Sequence, residues 1–180
     1  MVINAALPKY EAPDETVGVA QDVNAGGWEI TTADVEGLEC PVDPMAMGDR
    51  GWTCGEASVA TQTTTGAEDL NTTAKRGVRN AGMVNLAEVD NAVIAGTGDS
   101  RIAVDPDINT VAIVQALGDD TYATTTATGP ADEVRDIAAK LWDAIGSREL
   151  PAAAADAIDE FSTETPVGLL DDAKEEANRE

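Results

Sequence analysis

The chain has 180 residues, enough for one medium domain, and carries 34 acidic against 11 basic residues for a formal net charge of −23. A field this negative opposes non-specific binding to nucleic acid and to anionic lipid. Histidine is absent, which excludes Ser-His-Asp and Cys-His catalysis and removes the commonest general base and metal ligand, while carboxylate or metal-dependent catalysis stays open.

Residues 1–26 read as an extended N-terminal arm, because Pro8, Pro13 and Gly26-Gly27 break any helix. Within it Thr16 to Ala20 forms a candidate edge strand. The run Trp28 to Ala33 is rich in β-formers. Residues 36–56 read as loop, with Gly37, Pro41, Pro44, Gly48, Gly51 and Gly55. Ala57 to Thr65 is β-prone again. Leu70 to Val78 has the makings of a short helix, weakened by Gly77 and, just beyond, Gly82.

The strongest β signal lies at 91–128. Asn91 to Ala95 and Ser100 to Val104 flank Gly96-Thr97-Gly98-Asp99 and predict a hairpin. Asn109 to Leu117 is apolar on both alternating faces, as a strand covered on both sides should be. Gly118-Asp119-Asp120 turns the chain into Thr121 to Thr128, whose β-branched threonines predict a strand with one solvated face. Pro130 opens the clearest helix, with Asp132 and Glu133 in its first turn and Val134, Ile137, Ala138, Leu141 and Ile145 on one stripe that Trp142 extends. A second helix is expected from Pro151, burying Ala154, Ala155, Ile158 and Phe161. An acidic helix is expected at Val167 to Asn178. The order predicts an α+β fold, mainly antiparallel sheet with helices packed on it. The expected organisation is an extended arm at 1–26, an α+β domain at 27–161 and an acidic C-terminal tail at 162–180. Small side chains dominate, so the core is expected to be thin and to be supported by neighbouring subunits.

Four local patterns bear on chemistry. Cys40 and Cys54 are the only thiols; without histidine they cannot complete a zinc site alone. A disulfide between them would close a loop of ~15 residues, worth ~3 kcal/mol in the chain-entropy model; two buried reduced thiols are the alternative. Asp105-Pro106-Asp107-Ile108-Asn109 opens like a calcium loop, but Thr110 stands in the glycine place and Ala116 in the glutamate place, so a turn is expected. Gly96-Thr97-Gly98 starts like a dinucleotide fingerprint but lacks the third glycine and the following helix. Lys75, Arg76 and Arg79 form the one basic island. They are expected to contact an acidic protein surface, within this chain or on a neighbouring subunit, rather than nucleic acid.

Lysine occurs only at positions 9, 75, 140 and 174, phenylalanine only at 161, and alanine, threonine and valine replace larger hydrophobes. In this compositional style the chain resembles the acidic proteins of haloarchaea and their viruses; no family motif accompanies the likeness. It implies a surface solvated for brine, where a Debye length of about 3 Å at molar salt screens the self-repulsion. The apolar fraction of 43% argues against disorder. No stretch approaches the ~18 apolar residues of a membrane span. The first residues lack a charged segment followed by an apolar run, so synthesis in the cytoplasm without a signal peptide is expected, with a virion as a possible destination. The expected function is a non-enzymatic structural or assembly protein, a capsid-decorating or tail component of a haloarchaeal virus, acting as a homo-oligomer or with neighbouring structural proteins and without a cofactor. The alternatives are a cytoplasmic binding or regulatory module and a carboxylate/metal-dependent enzyme.

Overall fold

The computed structural model describes residues 12–23, 30–46, 48–66, 69–83, 91–118, 120–146 and 149–162. It is an α+β fold built on antiparallel sheet. Strands β1 (Asp14–Val23) and β2 (Ile30–Pro41) pair as a two-stranded ribbon. Strands β3 (Arg50–Cys54), β4 (Ala57–Thr65), β5 (Val93–Ala95), β6 (Ser100–Asp105), β7 (Thr110–Gly118) and β8 (Thr121–Thr128) form a six-stranded sheet in the order β3-β4-β8-β7-β6-β5. Three helices complete the described elements: α1 (Leu70–Gly82), α2 (Ala131–Ala144) and α3 (Ala152–Asp159).

The register explains how one sheet serves two cores. On the inner face a row runs Trp52, Val59, Ala127, Val111, Val104 and Val93 across all six strands. These residues pack with the ribbon's Val17, Val19, Val35 and Leu38 and with the buried stripes of α2 and α3. On the outer face Ala103, Ala112 and Val114 meet Ala74 and Val78 of α1 in a second, smaller core. Strand β7 feeds both, which is why its sequence is apolar at consecutive positions. The α2 stripe is buried at Val134, Ile137, Ala138 and Leu141, and Trp142 joins it at 1% exposure. In α3, Ala154 and Ile158 are buried, as is Phe161 just beyond it, while Ala155 is only half-buried.

The structure departs from expectation where glycines and prolines suggested loop. Strand β1 is longer than Thr16 to Ala20 and its Val17 and Val19 are core residues, so the described part of the N-terminal segment belongs to the domain rather than to an arm. Strand β2 continues to Pro41; opposite Val17, residues 35–38 bulge and carry Val35 and Leu38 inward. Strand β3 occupies part of the expected loop because Gly51 lets another segment approach: a Cβ there would lie 2.0 Å from that of Ala46. Likewise α1 runs on to Gly82. Gly77 is a buried contact point, where a Cβ would lie 2.8 Å from Thr124 Cγ2 and 2.9 Å from Ala112 Cβ. Strand β8 does not have one solvated face: Thr124 and Thr125 point to opposite faces and are both 5% exposed, because α1 packs on the outer face and the ribbon and α2 lie over the inner one. Residues 1–11, 24–29 and 163–180 lie outside the described residues, and with them the helix expected at Val167 to Asn178.

Candidate interaction surfaces

Helix α1 carries the basic island on its outward side. Thr73, Ala74, Gly77 and Val78 face the sheet; the 3.6-residue period then sets Lys75, Arg76 and Arg79 together on the other side. Arg76 is exposed and the other two are half-buried. Among the described residues the ion pairs are Arg50–Glu15, Arg135–Asp159 and Lys140–Asp136, and none involves the island. No carboxylate occurs between Leu70 and Gly82. The internal pairing that the sequence left open is therefore not made at contact distance by the described residues.

The ends of α1 are well defined. Asp69 caps the start: its Oδ1 accepts from Thr72 N at 2.9 Å and its Oδ2 from Thr72 Oγ1 at 2.7 Å. Those hydrogen bonds, the backbone one foremost, hold its carboxyl below the usual range, and Arg76 adds a smaller favourable field. Arg79 in the last turn complements the helix dipole. Met83 closes the helix in the left-handed region at φ 53°, where glycine would be the cheaper residue.

Beside α1 the sheet is uncovered. A groove of about 700 Å³ runs between the helix and the outer face of β4 and β8, with Asp43, Ala46 and Gly48 of the segment before β3 along its side. Ala60, Gln62, Thr126 and Arg79 line it, together with Met45 and Met83. These two methionines are 85% and 63% exposed and are the exposed large hydrophobics of the described residues. An unbranched, polarizable thioether suits an adaptable contact.

A second cleft, of about 640 Å³, lies on the inner face of β3, β4 and β8, under the β1–β2 ribbon. Here the inner face changes character. One row along from Trp52, Val59 and Ala127, the register brings Arg50, Thr61 and Thr125 side by side. Thr63 and Ala123 follow. Around this hydroxyl floor stand five carboxylates, Asp14, Glu15, Asp34, Glu39 and Asp49, against one guanidinium, Arg50. Arg50 is paired with Glu15 and lies 5.8 Å from the Trp52 ring centroid. Asp49 accepts from Thr63 N at 2.7 Å. Trp52, at 2% exposure, borders the cleft with its indole N–H buried and without a hydrogen-bond partner among the described residues.

Cys40 and Cys54 are joined as a disulfide, which ties the ribbon to the sheet next to this cleft. Both are buried, at 3% and 9% exposure. The two weak motifs are turns. Asp105 caps a 3₁₀ turn, Pro106–Ile108, by accepting from Asp107 N at 3.0 Å. Burial pushes the Asp105 carboxyl above its ordinary range. Gly96 to Asp99 connects β5 and β6 as a hairpin. Sequence reasoning found the island but not the methionines or the acidic cleft. Those arise from strands whose pairing brings distant residues together, and an excess of carboxylates along the whole chain hides any local cluster.

No protein-family model matches the chain, and no match is found among curated proteins or solved structures. Among the described residues no group of three or more Cys, Asp or Glu side chains is placed to hold a metal ion, and no helix is long and apolar enough to cross a membrane.

Proposed function

We propose that the chain is a non-enzymatic structural or assembly protein of a halophilic system, such as a virion component of a haloarchaeal virus. The observation that carries this reading is the outward face of α1. In a chain of net charge −23, it gathers three cations that make no ion pair among the described residues, Arg79 donating to the Asn80 side-chain oxygen, beside a groove lined by the two exposed methionines. Three cations without an ion pair among the described residues, in a chain so rich in carboxylates, suit a contact completed by another molecule. The apolar groove supplies the area that such a contact needs, since exposed charge pairs alone contribute only about 0–1 kcal/mol each. The strongly acidic remainder of the surface supplies solubility in brine.

Sedimentation velocity of the full chain in molar salt tests the reading. We expect concentration-dependent oligomers that R76E/R79E and M45S/M83S each weaken while leaving the unfolding transition cooperative. A wild-type chain that stays monomeric at high concentration would refute it. The virion assignment is tested separately, by whether the chain is among the proteins of purified virus particles.

A further inference from the structure

We infer that the partner of the α1 face is the acidic cleft of a second copy, so that copies join head to tail. The inference rests on the assembly reading and names the surface that completes it.

The chemistry of the two surfaces is complementary. Lys75, Arg76 and Arg79 are donors only, since an ammonium and a guanidinium have no acceptor atom. The cleft is rich in acceptors: carboxylates at its rim and threonine hydroxyls on its floor. Its one cation, Arg50, is already neutralised by Glu15. The shapes agree as well. The cations stand on the convex outer side of a helix, and the acceptors line a concavity of about 640 Å³.

Topology forbids one molecule from satisfying itself. α1 packs on the outer face of the sheet, through Ala103, Ala112 and Val114. The cleft opens on the inner face, over Thr61, Thr63 and Thr125. The sheet stands between them. A contact from the outer face of one copy to the inner face of the next leaves a free cleft at one end and a free α1 at the other. Such a heterologous contact grows into a ring or an open filament rather than stopping at a two-fold dimer.

Two charge-reversal variants test this. R76E/R79E keeps the cleft and loses the helix face; D34K/E39K keeps the helix face and loses two exposed carboxylates of the cleft. We expect each alone to associate at least about tenfold more weakly than wild type in molar salt. Mixed in equal amounts, the neutralised variants R76Q/R79Q and D34N/E39Q, in which swapped charges cannot rebuild the second contact, should form a heterodimer through the one intact contact and nothing larger. The milder pair R76Q/R79Q and D34N/E39Q repeats the measurement if a reversal variant loses its cooperative unfolding transition. If D34K/E39K assembles like wild type while R76E/R79E does not, the cleft assignment is wrong and the assembly reading stands. If neither variant changes assembly, or wild type remains monomeric, both fail.

Discussion

Replacing Gly77 by alanine sets local preference against packing, and the two predict opposite signs. In an exposed helix interior the change would stabilise by up to about 1 kcal/mol, because glycine loses more backbone entropy. In this structure the new methyl would lie 2.8 Å from Thr124 Cγ2 and 2.9 Å from Ala112 Cβ. Carbon atoms prefer about 3.5–4.0 Å, so α1 must lift from the sheet by several tenths of an ångström. Ala112 Cβ belongs to β7, which is bonded to strands on both sides, and it offers no rotamer to relieve the contact. Overpacking of this kind costs about 1–3 kcal/mol. Set against the propensity gain, the net is a destabilisation of about 1 kcal/mol, or a fall in melting temperature of about 2–4 °C for a domain of this size. Urea unfolding of both proteins at one fixed molar salt concentration measures it. Ala112→Gly removes one of the two contacts, so the double variant should recover part of the loss once the cost of A112G itself is subtracted. A G77A protein as stable as wild type, or more so, would refute the close-packed account of α1.

The remaining predictions concern other links in the fold. Removing the disulfide as C40A/C54A should cost about 3 kcal/mol, from a closed loop of ~15 residues; intact mass before and after reduction should differ by two hydrogens, and an unchanged mass would show two free thiols. Glu133 Oε2 accepts from Glu56 N at 2.8 Å and Ala57 N at 2.9 Å. E133A should therefore lose about 2 kcal/mol in chemical denaturation, with E133Q intermediate, as expected for hydrogen bonds to a charged acceptor. For Asp105 the folded state holds its proton more tightly than the unfolded state. Its ionisation therefore lowers stability as pH rises from the unfolded value through the raised folded one. D105N keeps the acceptor for Asp107 N and should stabilise at neutral pH. That gain should shrink as pH falls toward the ordinary carboxylate value of about 3.9; a gain independent of pH would sink the explanation. Finally, the midpoint of thermal unfolding should rise with salt into the molar range, and full stability in dilute buffer would overturn the halophilic reading.

Much of the fold was legible where local chemistry and tertiary packing agree. The apolar stripe of α2, the strands β4, β7 and β8 and the β5–β6 hairpin all follow from periodicity and turn residues, because each buries the side chains that its own sequence pattern sets on one face or two. The cationic island could also be found, as the one place where the chain departs from its acidity. What only the tertiary structure decided depends on partners far away in sequence. Gly51 and Gly77 read as breakers because their neighbours across the fold, Ala46 and Ala112, are invisible to a local window. Cys40 and Cys54 form a bond because β2 and β3 are brought side by side. The threonines of β8 are buried on both faces because α1 covers one side of the strand and the ribbon and α2 the other. The acidic cleft exists only because the ribbon, formed from residues 14–23 and 30–41, is laid over strands that begin at residue 50 and end at residue 128. Composition alone determined the charge and the scarcity of large side chains. The placement of that charge, with the Lys75, Arg76 and Arg79 island on one face of the sheet and the carboxylate-rimmed cleft over the other, was decided by strand register and helix packing.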